Sequence, residues 1–203
     1  MSTAGVAGRV APYRLEMARA LRPQLPGGIY HVYAHGLRLL PLFHDDDDRA
    51  GLLRLLGQVV VLCGWRCHSY CLMTTHYHLL IETPEPNIAA GMHRLNGFYA
   101  AEFNRRHGTR GHVFERRYQT VLIESDAHFA TAVAYIASNP VRAGICKRPE
   151  DYRWSSYGAL IGVARSVPFL DRSFLETFHP DPQRAVELLR RFVDAYIAGD
   201  RAA

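Results

Sequence analysis

The stretch Met73-Thr-Thr-His-Tyr-His-Leu-Leu-Ile-Glu-Thr83 decides the fold of this chain. It alternates as a β-strand does, and strand residues alternate between the two faces of a sheet. His76 and His78 therefore share one face, and Tyr77 and Leu79 share the other, where they can be buried. Two imidazoles side by side on a strand form half of a divalent-metal site. Two histidines in an amphipathic strand also occur without a ligand, so the rest of the chain decides between these interpretations.

Apolar alternation and helical spacing on both sides of this stretch predict four strands and two helices. The strands are residues 29–35, 65–73, 76–83 and 118–124, and the helices run from the acidic segment 45–48 to Gly64 and from a cap at Asn87 to Gly108. The order β-α-β-β-α-β is that of a ferredoxin-like split βαβ fold of the α+β class, with both helices on one face of an antiparallel sheet. The opposite face stays open unless a later segment covers it.

Two features that resemble metal ligands are interpreted as structural. Acids at a helix N-terminus cap free N–H groups and suit the helix dipole, so we interpret the segment 45–48 as a cap. Cys67 and Cys71 are expected on one face of the second strand as small buried hydrophobes. Four cysteines in a chain without a signal peptide do not predict a disulfide framework.

A further helix is predicted at residues 126–138, capped by Ser125 or Asp126 and ended by Pro140. One stripe of it is spaced for burial and a second stripe is polar, the latter consisting of His128, Thr131, Tyr135 and Asn139. Tyr135 and Asn139 would project together, one as a possible nucleophile and the other as an oxygen ligand. The alternative is that Tyr135 is a core-edge residue and Asn139 a helix C-cap.

Composition indicates an ordinary globular protein. The chain has 203 residues and a formal charge of +5 at pH 7, and it is long enough for one domain with a real core. Its apolar stretches are too short to cross a bilayer and no signal peptide opens it, so we expect a cytoplasmic protein that does not bind membranes. We divide it into a basic extension at 1–26, a main domain at 27–165 and a helical extension at 166–203. Residues 154–161 and 183–198 predict two more helices.

Basic residues are concentrated between the second helix and the fourth strand. The set is Arg105, Arg106, Arg110, His112, Arg116 and Arg117. Arginine is suited to bidentate contact with phosphate, and an aromatic residue, Phe114, lies among these basic residues. Such a patch predicts a nucleic-acid-binding surface, and its alternative is a solvated basic surface.

Seven motifs occur in order along residues 25–160: Gly28-Ile-Tyr-His-Val32, Gly64-Trp65, Tyr70-Cys-Leu-Met-Thr-Thr-His-Tyr-His-Leu-Leu80, Asn104-Arg-Arg-His-Gly108, Gly111-His-Val-Phe-Glu-Arg-Arg-Tyr118, Tyr135-Ile-Ala-Ser-Asn-Pro-Val-Arg-Ala-Gly144 and Trp154-Ser-Ser-Tyr157. As a set they resemble the REP-associated tyrosine transposases. These are single-tyrosine members of the HUH class (His, hydrophobic residue, His). The resemblance implies a ferredoxin-like fold in which a helix carries the nucleophilic tyrosine over the open face of the sheet.

The resemblance also implies roles for single residues. His76 and His78 correspond to the metal-binding pair, Tyr135 to the nucleophile, and Asn139 to a third, amide ligand one helical turn later. The expected reaction is cleavage and rejoining of single-stranded DNA at REP hairpins through a 5′-phosphotyrosine, with Mg²⁺ or Mn²⁺ as cofactor. Arg142 would join the basic patch in gripping phosphates. A monomer is favoured over a homodimer.

The chain departs from the family pattern at two places. Thr74-Thr75 stands where the family has Pro-Asn, and Ala34-His35-Gly36-Leu37 stands where it commonly has Ser-Arg-Gly-Asn. Tyr99, in a core stripe, and Tyr118, at the start of a strand, are the weaker candidates for nucleophile. The rival functions are a relaxase or rolling-circle initiator, a metal-dependent hydrolase, and a non-catalytic module that binds single-stranded nucleic acid.

Overall fold

The computed structural model describes residues 24–201, so most of the predicted basic extension lies outside the described residues. The strands are β1 (Gly28–His35), β2 (Arg66–Leu72), β3 (His76–Thr83) and β4 (Gln119–Leu122). The helices are α1 (Asp46–Cys63), α2 (Ile88–His107), α3 (Asp126–Arg142), α4 (Tyr157–Leu160) and α5 (Pro182–Arg201). No helix in this part of the chain is long and apolar enough to span a membrane.

The four strands form one antiparallel sheet in the order β2-β3-β1-β4. Tyr30 and Val32 of β1 and Leu79 of β3 are fully buried on the face that α1 and α2 cover. Tyr77 lies on the same face, and its hydroxyl donates a 2.6 Å hydrogen bond to Asn96 Oδ1 of α2. The predicted ferredoxin-like α+β fold is confirmed, because strand order and helix placement are those of a split βαβ unit.

The acidic segment 45–48 caps α1, as predicted. The Asp45 side chain accepts a 3.0 Å hydrogen bond from the Asp48 backbone N–H. The Asp48 carboxylate accepts another, at 2.8 Å, from the backbone N–H of His44. These bonds satisfy N–H groups that have no partner inside the helix.

Asn87 holds the N-cap position of α2, but the prediction that its side chain caps the helix is wrong. Its Oδ1 instead accepts a 2.6 Å hydrogen bond from Trp65 Nε1, and its Nδ2 donates to the Cys63 carbonyl at 2.9 Å. The Trp65 ring lies so close to α2 that a Cβ at Gly91 would be 2.1 Å from its Cζ2 atom. Asn87 therefore joins the end of α1 to the start of α2.

α3 packs on the face of the sheet that α1 and α2 leave open, with Val133 and Ile136 fully buried. Its Ser125 cap accepts a 3.2 Å hydrogen bond from the His128 N–H, as predicted. The predicted end of the helix at Pro140 is wrong, because α3 continues to Arg142. Proline removes only its own N–H, and the next turn still closes through the Ala143 N–H, which donates to the Asn139 carbonyl at 2.9 Å.

The C-terminal segment belongs to the same hydrophobic core. Leu170 pairs with Cys67 at the edge of the sheet, and the turn Ser173–Thr177 packs against α5. Leu189 and Val193 of α5 are fully buried, and α5 packs on α3. The open face is therefore covered by α3 and by the segment that ends in α5.

Three sequence expectations about strands and short helices need correction. β4 is shorter than predicted, because it pairs with β1 over only four residues, from Gln119 opposite Tyr33 to Leu122 opposite Tyr30. The helix predicted at 154–161 is only α4. Cys67 and Cys71 are buried, but they lie on opposite faces, because a β-bulge between Cys67 and Ser69 shifts the register of β2.

Candidate active site

Five histidines and three tyrosines, among them Tyr135, line a cavity of about 410 Å³ between the sheet and α3. We call it the histidine cavity, and it is lined by His31 and His35 of β1, His76 and His78 of β3, and His128 and Tyr135 of α3. The antiparallel register sets Tyr33 opposite His78 and His35 opposite His76, which places these side chains on one face. The structure thus brings the predicted histidine pair and the predicted tyrosine together.

The predicted pair is closely spaced. The ring centroids of His76 and His78 are 5.0 Å apart, with the rings nearly perpendicular. His35, which stands in the second of the two segments that depart from the family pattern, stacks on His76 with centroids 5.0 Å apart. Thr75, in the other departing segment (Thr74-Thr75), has its hydroxyl 3.1 Å from His76 Nδ1. Both departures therefore lie next to the first histidine of the pair.

His78 is the more constrained member of the pair. It is 4% exposed, and its Nδ1 lies 2.9 Å from Nε2 of His31. Its Nε2 is buried and has no hydrogen-bond partner among the described residues. A histidine whose one nitrogen is held by a neighbour presents the other nitrogen in a defined orientation, which is how metal-ligating histidines are arranged.

Burial keeps these imidazoles neutral. It lowers the pKa of His31 to about 4, with a smaller effect of His128 in the same direction. Burial, followed by the charge of His35, lowers the pKa of His76 to about 4. Burial and the neighbouring histidines lower the pKa of His78 well below its ordinary value, although a contact with the Asn139 side chain opposes this. Neutral imidazole is the form that binds metal.

α3 carries Tyr135 into the cavity and places Asn139 one turn later. The Tyr135 ring meets the rings of His31 and His78 edge-on, at centroid distances of 5.5 Å each. Asn139 Nδ2 donates a 2.8 Å hydrogen bond to the Tyr135 carbonyl, and the same side chain contacts His78. Because α3 continues past Pro140, Arg142 reaches back over the Tyr135 ring, with its Cζ 5.3 Å from the ring centroid.

Three of the predicted nucleic-acid-binding residues line a second depression. This basic groove, of about 610 Å³, lies between α2 and the loop at residues 111–118. Its exposed basic side chains are His93 of α2 and the three predicted residues His112, Arg116 and Arg117. The loop is anchored to β1, because the Glu115 N–H donates to the His35 carbonyl at 3.0 Å. The loop of the basic groove is therefore attached to the end of β1, at His35, whose side chain lines the histidine cavity.

The other predicted basic residues do not join this groove. Arg106 is bound to acids before and within α1, with hydrogen bonds of 2.7 Å to Asp45 and 3.1 Å to Asp47 and a further bond to Asp48. Arg105 lies on a separate surface between α1 and α2. Arg110 is exposed in the loop after α2.

Within the described residues, one other cluster of potential metal ligands lies close together. His44, Asp48 and His107 place one ligand atom each within 4.8 Å of one another. His107 Nε2 is 2.9 Å from the Asp48 carboxylate, which also accepts a hydrogen bond from the Arg106 guanidinium. Because a cation already occupies this carboxylate, we interpret the cluster as an ionic brace between α1 and α2.

Sequence reasoning missed three side chains of the histidine cavity. His31 and Tyr33 alternate with buried residues along β1, and the period-two argument used for β3 would have found them. Tyr196 lines the cavity from α5, and no local signal in the sequence pointed to it. Tyr99 and Tyr118 are buried outside the cavity, and the Tyr99 hydroxyl donates to the Leu42 carbonyl at 2.6 Å.

Comparison with known proteins agrees with the fold and the motif order. The model of a family described as IS200-like transposases matches residues 30–139. Comparison with curated proteins found no match. The chain is similar to a solved structure of a REP-associated tyrosine transposase bound to a REP hairpin, with a TM-score of 0.62 and 16% sequence identity over 76% of this chain and 94% of that chain. At this identity the likeness shows the fold.

Proposed function

This chain belongs to the family of IS200-like transposases, enzymes that cut and rejoin DNA, and we propose that it acts on single-stranded DNA with Tyr135 as the nucleophile. The observation that carries the proposal is the position of the Tyr135 ring, 5.5 Å from the rings of both His31 and His78. A phenol and a neutral imidazole cluster in one cavity are the two parts that a tyrosine strand transferase needs.

In the proposed cleavage, the Tyr135 hydroxyl oxygen forms a bond to the scissile phosphorus, and the bond from phosphorus to the 3′ oxygen breaks. Tyr135 loses its proton and the 3′ oxygen gains one, which leaves a 5′-phosphotyrosine and a free 3′-hydroxyl. Attack of a 3′-hydroxyl on the phosphotyrosine reverses these changes and rejoins a strand without ATP. The positively charged Arg142 guanidinium lies 5.3 Å from the centre of the Tyr135 ring. In both steps it would stabilise the negative charge that develops on the Tyr135 oxygen and the phosphate.

The residues of the histidine cavity fit a divalent cation such as Mg²⁺ or Mn²⁺. The buried Nε2 of His78 has no hydrogen-bond partner among the described residues, and burial lowers the pKa of His76 to about 4. Each imidazole therefore offers a lone pair at neutral pH, and the Asn139 amide oxygen is a third candidate ligand. When bound, the cation would neutralise charge on the scissile phosphate.

We propose hairpin DNA of the REP type as the substrate. The basic groove supports this, because His112, Arg116 and Arg117 are exposed on a loop that is hydrogen-bonded to the end of β1. Phosphates of a DNA backbone would bind these side chains while the adjoining single strand enters the histidine cavity. The solved relative with the same fold is itself bound to a REP hairpin.

A single chain is sufficient for the proposed chemistry. His76, His78 and Tyr135 of one chain line the same cavity, so no residue from a second copy is needed to complete it. We therefore propose that the protein cleaves DNA as a monomer.

The decisive experiment is the capture of a covalent intermediate. The full-length protein is incubated with end-labelled hairpin DNA and Mn²⁺ and is then analysed on a denaturing gel. We expect an adduct that withstands SDS and is absent from Tyr135→Phe. Tyr33→Phe is the matched control, because Tyr33 lies in the same cavity, and it should retain the adduct.

Other outcomes would point to other functions. DNA binding without an adduct in the wild-type protein would favour a non-catalytic module. Cleavage that persists in Tyr135→Phe without an adduct would indicate a metal-dependent hydrolase. Either result would overturn the proposed role of Tyr135.

A further inference from the structure

A second cavity lies on the same face of the sheet as the histidine cavity, at the N-terminal end of α3. Its volume is about 620 Å³, and its walls include Phe129, Phe174 and Phe178, for which we name it the aromatic cavity. We propose that it binds one unpaired base of the DNA strand that Tyr135 cleaves and prefers a base with an amino group. This inference rests on the proposed function, because it requires a single-stranded substrate.

The three phenylalanines form a continuous aromatic wall. The ring centroids are 5.2 Å apart for Phe129 and Phe174 and 6.4 Å apart for Phe174 and Phe178. The rings of Phe129 and Phe174 also pack edge-on against His68, at 5.3 and 5.8 Å. Aromatic walls of this kind stack the unpaired bases of single strands.

The charge of the aromatic cavity selects against phosphate and for N–H donors. Three carboxylates line it, those of Glu82, Asp126 and Glu176. Asp126 and Glu176 form no ion pair within residues 24–201, so their negative charge remains available to a ligand. Ionised carboxylates only accept hydrogen bonds, which favours the amino groups of adenine, cytosine and guanine. Thymine has no amino group and offers only its single N3–H donor, so it is expected to bind less well.

His68 provides an independent indication of a ligand. It is 3% exposed, and its Nε2 lies 3.0 Å from Glu82 Oε2. Its Nδ1 is buried and has no hydrogen-bond partner among the described residues. If Nε2 donates to Glu82, Nδ1 is an acceptor that lacks a donor, and such atoms are rare in native proteins. The amino group of a bound base is of the chemical type that would satisfy it.

The aromatic cavity is within reach of a strand held in the histidine cavity. Glu82 follows His78 by four residues on the same face of β3, a separation of about 13 Å at the usual rise of a strand. Phe129 precedes Tyr135 by six residues, or about 9 Å along α3. A base near the scissile phosphate can therefore enter the aromatic cavity while the phosphate contacts Tyr135.

The test is an abasic scan of the DNA combined with variants of the aromatic cavity. Hairpin oligonucleotides with single-stranded flanks, each with one abasic site, are bound to the full-length protein without added metal, and affinity is measured by fluorescence anisotropy. We expect one flank position at which the wild-type protein loses roughly tenfold in affinity. Phe178→Ala should bind the intact and the abasic DNA equally. Phe98→Ala, at an exposed phenylalanine of α2, should behave as wild type.

A second variant protects the test against a folding defect. Glu176 is exposed, so Glu176→Gln should fold normally by thermal unfolding. At the sensitive position, the wild-type protein should discriminate against thymine, and Glu176→Gln should do so less. Glu187→Gln, on the surface of α5, is the matched control.

The inference can fail separately from the proposed function. If no flank position is sensitive to base removal, or if Phe178→Ala and Glu176→Gln keep the wild-type sensitivity, the aromatic cavity does not bind a base. The Tyr135-dependent adduct is measured in parallel. An adduct without a base signature overturns the inference alone, whereas a base signature without an adduct overturns the proposed chemistry and leaves base binding in place.

Discussion

Nε2 of His31 lies 2.9 Å from Nδ1 of His78, although the two residues are 47 positions apart in the chain. They meet because β1 and β3 are neighbours in the sheet, and the contact fixes which nitrogen of His78 is presented to the cavity. His31 thus acts on the proposed metal site through His78. This makes it a positioning residue whose loss should alter metal binding without altering the fold.

Removal of the His31 imidazole should weaken metal binding. Loss of the outer partner of a ligating histidine typically costs about 10- to 100-fold in metal affinity or activity. We expect His31→Ala to need correspondingly more Mn²⁺ for half-maximal adduct formation, and to approach wild-type activity when Mn²⁺ saturates. His31→Gln, which keeps a hydrogen-bonding group, should lie between the two. An unchanged Mn²⁺ requirement in His31→Ala would exclude the positioning role.

Metal-dependent activity should persist at mildly acidic pH. Burial lowers the pKa of His31 and of His76 to about 4, from an ordinary value of 6.5. Both imidazoles therefore stay neutral as pH falls through the range in which an exposed histidine protonates, and they protonate only near pH 4. Adduct formation with Mn²⁺ should follow this profile. A loss of activity centred near the ordinary value would contradict it.

The same shifts predict how stability changes with pH. The unfolded chain binds protons at these histidines below about pH 6.5, whereas the native protein binds them only near pH 4. Protons therefore favour the unfolded state across this interval, and the free energy of unfolding should fall as pH is lowered. Urea unfolding of wild type and His76→Ala should show a shallower decline in the variant. Parallel curves would argue against the buried neutral state of His76.

Removal of positive charge from the basic groove should lower the affinity for DNA and make that affinity less sensitive to salt. The double change Arg116→Gln and Arg117→Gln removes two exposed cations from the groove. If each arginine binds one phosphate, the slope of log affinity against log salt should become shallower by roughly 0.7 to 0.9 for each arginine replaced. Arg184→Gln, at a residue paired with Glu187 on α5, is the control and should leave the slope unchanged. An unaltered slope in the double variant would place the phosphates elsewhere.

Removal of the Asp48 charge should destabilise the fold. We expect Asp48→Asn to lower the free energy of unfolding by about 2 kcal/mol, because the variant cannot form the charged hydrogen bonds to Arg106 and His107. Burial raises the pKa of Asp48, but hydrogen bonds from His107, the His44 backbone and Arg106 outweigh it, so the pKa is lowered overall.

The sign of this shift gives the Asp48 prediction a pH dependence. The contribution of the carboxylate is present above the unfolded pKa of about 4 and is lost as pH falls below it. The difference in urea midpoint between wild type and Asp48→Asn should therefore shrink in acid. Asp47→Asn is the matched control, because the Asp47 side chain is 83% exposed. A difference that grows in acid would contradict the sign.

Local patterns predicted the elements that carry the site. The alternation of β3 placed His76 and His78 on one face, and the spacing of α3 placed Tyr135 and Asn139 one turn apart, because both depend only on the geometry of a single element. Predictions about how elements end or pair were less accurate. The bulge in β2 separates Cys67 from Cys71, and it arises from pairing with β3, which no local pattern contains.

The sequence by itself determined the order of strands and helices, the caps of α1 and α3, and the residues that the proposed chemistry needs. Only the tertiary structure decided that His31 contacts His78, that Arg142 lies over Tyr135, that Arg106 is bound to acids of α1, and that Tyr196 lines the histidine cavity. The physical reason is that periodicity specifies the face on which a side chain lies within its own element. Contacts between elements depend on the register, crossing and length of every element packed around them, and these are settled only when the whole core forms.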